Sequence, residues 1–129
     1  MPEYEEWGSL NASPDAAFGY LSDVGNLPKY VSGMILAQLE QDDHLRVAAE
    51  VQGRREEGQA WFRVDPEGRR IEWGGQSRSG YSGWLEVSGS GPGCSVTIHL
   101  ETDREEDAED IRRALAQTMA NITSQVEGL

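Results

Sequence analysis

Few residues in this sequence can do covalent chemistry, and their spacing limits them further. The single cysteine, Cys94, and the two histidines, His44 and His99, are the natural candidates for nucleophile and base. Such a pair must come within hydrogen-bond reach. Cys94 and His99 lie in one alternating run, where an odd separation sends them to opposite faces of a strand, so they form no dyad there. Cys94 reads as a small buried packing residue. His99 shares a face with Ser95 and Thr97, opposite Val96 and Ile98, and is expected on an outer, wet face. His44 follows Asp42-Asp43 in a turn. One thiol excludes an internal disulfide framework, and two distant histidines leave no zinc or haem motif. No metal and no cofactor is therefore expected.

The aromatic residues carry a stronger signal. Trp7, Trp61, Trp73 and Trp84 are spread over four strand-like runs. Trp73 has the parity of Ile71 and so faces inward, either as core or as the wall of an aromatic-binding pocket. Trp61 and Trp84 have the parity of polar residues, as outer-face aromatics or through a bulge. Arg63 and Glu72 have solvent-face parity and read as cross-strand partners. Parity cannot be carried through the glycine- and serine-rich stretch Gln76 to Gly80. Arg78 there is a surface residue or folds inward to polarise a carbonyl, and Tyr81 beside it is a second polar anchor. No carboxylate pair has a clear catalytic geometry. The acidic run ending at Asp110 reads as a solvated helix start and not as a metal cluster.

The elements that position these residues follow from the hydrophobic period. Glu3 to Leu10 is a strand. Ser13-Pro14-Asp15 starts a helix, with a capping serine, a proline at the first position and an acid near the positive end of the dipole. Asp23 to Asn26 breaks it, Leu27 to Val31 is a second short helix, and Gly33 ends that one. From Met34 to Thr102 the period is two, which marks half-covered strands. Asp42-Asp43, Glu57-Gly58, Asp65-Pro66-Glu67-Gly68 and Gly89 to Gly93 separate them as hairpin turns, giving a six-stranded meander. Ala108, Ile111, Leu115, Met119, Ile122 and Val126 then form one stripe of a long helix over 104–127, with Thr102 to Glu105 as its capping box. A sheet with one apolar face must cover it, and this stripe matches it.

Composition bounds the function. The chain has 129 residues, with 11 basic and 23 acidic side chains and a net charge of −12. The length suits one domain over 1–129. The charge excludes nucleic acid or an anionic membrane as the main partner, since both need a basic footprint. No apolar run reaches the ~20 residues of a membrane span. The acidic N-terminus is unlike a targeting signal, so a cytoplasmic location is expected. The sequence leaves the oligomeric state open.

The segment LNASPDAAFGYLSDVGNLPKYVSGM resembles the opening signature of the START-like, or SRPBCC, superfamily: a strand, a small residue and proline before a helix, an aspartate at its end, then Asn-Leu-Pro-x-aromatic. The run RRIEWGGQSRSGYSGWLEVSGSGPGCSVTIHLE resembles its later strands. The nearest branch is the polyketide cyclase/dehydrase-like group. The resemblance implies an α+β helix-grip fold, with a seven-stranded antiparallel sheet around the C-terminal helix and a cavity between them. It implies a hydrophobic small-molecule ligand, lipid or polyketide-like. The alternatives are a cyclase or aromatase acting on a poly-β-ketone, and an interaction module with a collapsed cavity. Tyr30 occupies the family's aromatic slot, where its hydroxyl faces the ligand or its ring packs. The expected walls are Tyr30, Trp73, Met119 and Ile122, the floor Val96 and Ile98, and the polar anchors at the mouth Arg78 and Tyr81. The mouth is expected near the second short helix and Gln76 to Gly80.

Overall fold

The computed structural model describes residues 3–41, 43–51, 53–75, 81–89, 91–102 and 108–129. Strand β1 (Glu3–Leu10) leads into helix α1 (Pro14–Leu21), whose first turn is capped as the sequence predicts: the Ser13 hydroxyl accepts from the Ala16 amide at 3.1 Å. The Asp23 carboxylate accepts from the Gly25 amide at 2.9 Å and fixes the turn before the four-residue helix α2 (Leu27–Tyr30). Six strands follow: β2 (Met34–Leu39), β3 (His44–Val51), β4 (Arg54–Asp65), β5 (Arg70–Gly75), β6 (Tyr81–Ser88) and β7 (Cys94–Thr102). Helix α3 (Ala108–Glu127) closes the described chain. The capping box foreseen at Thr102 to Glu105 lies mostly outside the described residues.

The strands form one antiparallel seven-stranded sheet in the order β1-β7-β6-β5-β4-β3-β2. This is the α+β helix-grip architecture, with α1, α2 and α3 on the concave face. One hairpin differs from the sequence reading. The turn between β3 and β4 is not at Glu57-Gly58; it lies at Gly53, whose φ of +78° suits glycine. Strand β4 runs straight through Glu57 and Gly58, paired to Ala48 and Val47. Residues 54–59 are all exposed, so this part of β4 has no covered side chains to impose alternation, and its charges read as a break.

Inward parity holds across the sheet, but the space beneath it is not uniform. Near one end the interior is close-packed: Leu10, Ala17, Leu21, Val87, Val96, Ile122 and Val126 are all buried in one cluster. Gly8 lets the helix approach β1 here, since a Cβ at that position would lie 3.1 Å from the Met119 sulfur. Toward the other end α3 stands off the sheet and α2 fills part of the gap.

Candidate functional site

The standing-off of α3 leaves a cavity of about 440 Å³. Its roof is Ile111, Ala114, Leu115 and Thr118 on α3, and its end wall is Leu27, Tyr30 and Val31 around α2, with Ser32 and Met34 beyond. The inner faces of β3 to β7 supply the floor, from Leu45, Val47 and Ala49 across Ala60, Phe62, Ile71 and Trp73 to Leu85, Ile98 and Leu100. Such a concave, mostly apolar space with a few polar groups is how small-molecule sites are built. A wider hollow of about 840 Å³ at the β2–β3 turn is open and mostly polar, bordered by Gln38, Leu39, Glu40, Gln41, His44 and Gln59; Leu39 alone gives it no apolar enclosure.

Of the residues singled out from sequence, the structure brings Tyr30, Trp73 and Ile98 together around this cavity. Val96, Met119 and Ile122 do not line it. Parity placed them on the correct face, but they sit farther along in the close-packed end, where Val96 and Ile122 are fully buried and Met119 fits against Gly8. Arg78 lies outside the described residues, as does the Gln76 to Gly80 stretch, and so does the side chain of Tyr81, whose backbone pairs with Thr102.

Trp73 takes its place through a glycine. In register it lies opposite Gly83, which in turn faces Leu100. A Cβ on Gly83 would come within 2.9 Å of the Trp73 ring, 2.7 Å of Leu100 Cδ2 and 2.7 Å of the His99 carbonyl oxygen. The missing side chain makes room for the indole on the inner face. Trp61 and Trp84, by contrast, are outer-face aromatics without any bulge: Trp61 covers Gly74, and Trp84 lies under the Arg70 guanidinium, 4.4 Å from its ring centre.

Polar groups in the walls are few, and the described contacts hold two of them. The Tyr30 hydroxyl donates to the Leu21 carbonyl at 2.6 Å, and burial pushes its pKa far above the ordinary phenol range. It does not titrate near neutrality, and its proton is committed to Leu21 while its ring faces the cavity. The Thr118 hydroxyl accepts from the Ser32 amide at 2.9 Å, tying the segment after α2 to α3. Thr118, Phe62 and the small residues Ala49 and Ala60 were not picked out from sequence. The signal available for them was the inward parity of β3 and β4 and the helical spacing of Thr118 from Ile111, Ala114 and Leu115.

Cys94 is buried at the start of β7, and burial raises its thiol pKa, as befits a packing residue. His99 is on the outer face as expected, but it is not wet there: Trp84 stacks on the ring and the side chain is mostly covered. Arg63 and Glu72 face each other in register, yet Arg63 pairs with Asp43 at 3.1 Å and Glu72 with Arg70 at 3.4 Å.

Residues 1–127 match the sequence model of the polyketide cyclase / dehydrase and lipid transport family. The chain belongs to that family. Solved structures of the same fold include the di-domain ARO/CYC protein BexL from the BE-7585A biosynthetic pathway, at 18% identity and a TM-score of 0.81. That match covers 98% of this chain and 47% of BexL, so the chain spans about half of that protein. A START superfamily protein from Mycobacterium smegmatis has a TM-score of 0.74 at 14% identity, covering 98% of this chain and 94% of that one. The Zhui aromatase/cyclase from a Streptomyces species has a TM-score of 0.72 at 15% identity, covering 98% and 93%. A comparison with curated proteins finds no match. The polyketide cyclase/dehydrase and lipid transport family member described here thus shares a START-like fold with proteins of quite different sequence. Among its described residues no helix is long and apolar enough to cross a membrane.

Proposed function

We propose that this family member binds an uncharged hydrophobic small molecule between α3 and the concave face of the sheet. The observation that carries the reading is the cavity of about 440 Å³ with almost wholly apolar walls. A collapsed interior, as an interaction module would have, leaves no such space. Trp73 and Phe62 offer flat aromatic surface, Thr118 one hydroxyl, and the walls hold no cation. Arg78 and Tyr81, expected from the sequence near the mouth, are the proposed polar anchors. The acidic composition and single thiol fit a cytoplasmic setting.

A second reading, polyketide cyclase, is supported by the family and by neighbours whose names include aromatase/cyclase. Cyclisation needs a group that moves a proton beside the substrate. Tyr30 is the one titratable residue in the described walls, and its hydroxyl is committed to Leu21. The described walls therefore favour binding and positioning over proton transfer.

Native mass spectrometry of the purified protein, together with titration by the neutral dye Nile red, tests the binding reading. Saturable binding near one to one is expected. Ala60→Trp, which projects an indole into the cavity from β4, should weaken it at least tenfold (an order-of-magnitude expectation for steric filling of a preformed pocket) while the circular dichroism stays native. Undiminished binding by a folded Ala60→Trp protein puts the ligand elsewhere. Turnover of a poly-β-ketone by the parent chain, lost in Arg78→Ala, would establish the cyclase reading instead.

A further inference from the structure

On the outer face of the sheet, away from the cavity, His99 is held as a ligand would be and not as a free surface histidine. Its side chain is only 13% exposed. The imidazole stacks on Trp84, with ring centres 5.2 Å apart and planes 10° from parallel. Its Nδ1 lies 3.1 Å from Oε2 of Glu5, its register partner on β1. Its Nε2 faces two carboxylates, Glu3 Oε1 at 3.2 Å and Glu101 Oε1 at 3.4 Å. Glu3 and Glu101 lie directly opposite each other across β1 and β7, a like-charge pairing that destabilises a sheet and calls for a cation between them. Among the described residues, the ion pairs of Glu3, Glu5 and Glu101 all run to His99 and none to lysine or arginine.

The spacing suits a small ion. A tetrahedral cation with bonds of about 2.0–2.1 Å holds neighbouring ligand atoms roughly 3.3–3.4 Å apart. The two nitrogen–oxygen separations are close to that, and all three candidate ligand atoms lie within 4.8 Å of one another. A histidine that binds zinc characteristically donates its other ring N–H to a carboxylate, which fixes the tautomer and aims the free nitrogen at the metal. Glu5 stands where that acceptor must be. We propose that Nε2 of His99 and the carboxylates of Glu3 and Glu101 form a site for a divalent transition-metal cation of the Zn²⁺ class, with Glu5 as a positioning residue. Three protein ligands leave the fourth position to water, and the ion fastens the edge strand β1 to β7.

The proton is the competitor for Nε2. Burial draws the His99 pKa down, but hydrogen bonds to Glu5 and Glu101 and the charges of Glu3 and Glu5 more than offset this and hold it above the ordinary value. Metal binding requires the neutral ring, so the titration belongs at about pH 8, above the usual histidine pKa. Tag-free, chelator-treated protein is titrated with Co²⁺ and Zn²⁺. The expected result is one saturable site, visible absorption bands of tetrahedral Co²⁺, and a Tm that rises with Zn²⁺. His99→Gln should abolish the site, and Glu5→Gln should weaken it about 10–100-fold without changing its stoichiometry. Should His99→Gln fold poorly, Glu101→Gln, which removes only a half-exposed carboxylate, tests the same ligand set. Absence of saturable binding by the parent, or equal binding by a folded His99→Gln or Glu101→Gln protein, overturns the proposal; His99 then holds a proton only, and Tm follows pH but not metal.

Discussion

Tyr30 shows how much a single side chain can be fixed by one contact. Its ring lines the cavity while its hydroxyl is bound to the Leu21 carbonyl at the end of α1. Tyr30→Phe leaves that carbonyl buried without a partner, which costs about 1–3 kcal/mol. Urea denaturation should show this loss while Nile red affinity stays unchanged; a large drop in affinity with unchanged stability would mean that the hydroxyl serves the ligand after all. Gly83 is the complementary case. A methyl group there would press on the His99 carbonyl, Leu100 and Trp73 at 2.7–2.9 Å, so Gly83→Ala should destabilise by about 1–3 kcal/mol, as overpacking does. Its tryptophan emission should also shift. At this scale the sequence was partly legible. The parity of Trp73 with Ile71 gave its direction, and the outward direction of His99 followed from Val96 and Ile98. The partner of the Tyr30 hydroxyl was not legible, because Leu21 is nine residues away and meets it only through the turn between α1 and α2.

At the scale of elements, α3 divides at its middle. Ile111, Ala114, Leu115 and Thr118 roof the cavity, whereas Met119, Ile122 and Val126 are buried in the packed end. Truncations along the helix should therefore differ in cost. Ile122 is fully buried, and Ile122→Ala should lose about 2–5 kcal/mol by opening a new hole. Leu115→Ala enlarges a space that already exists, so its loss should fall at or below the low end of that range. Equal losses in thermal or urea unfolding would mean that the space beside Leu115 is closed in solution. The helical stripe was plain in the sequence, as was the inner face of each strand. What periodicity lacks is position along the strand and helix axes, so it cannot separate Val96 from a cavity floor or Met119 and Ile122 from cavity walls. The Gly8–Met119 approach settles it, since it draws one end of α3 down onto β1. The displaced β3–β4 turn has a related cause, because the stretch of β4 over residues 54–59 is exposed on both faces and carries no alternation to read.

For the molecule as a whole, charge and cavity act together on what can bind. The net charge is −12, and the described cavity walls hold neither a cation nor a carboxylate. The negative field of the surface opposes the approach of an anion. Moving a carboxylate into an apolar space without a partner costs several kcal/mol more, or forces it to take up a proton. A neutral ligand meets neither barrier. The expected outcome is that 2-naphthalenemethanol binds more tightly than 2-naphthoate, two ligands of similar shape that differ mainly in charge. The long-range part of the gap should shrink as salt is raised, because the Debye length falls from about 10 Å at 0.1 M to about 3 Å at 1 M. The desolvation part should persist at high salt, since screening does not reach a dry interior. Competition with Nile red at pH 8 measures both parts, the carboxylate being ionised there. Tighter binding of naphthoate at every salt concentration would show that a cation reaches the ligand at the mouth. Arg78 is the first residue to replace in that case, followed by Arg54, which has inward parity at the exposed end of β4, beyond Gly58.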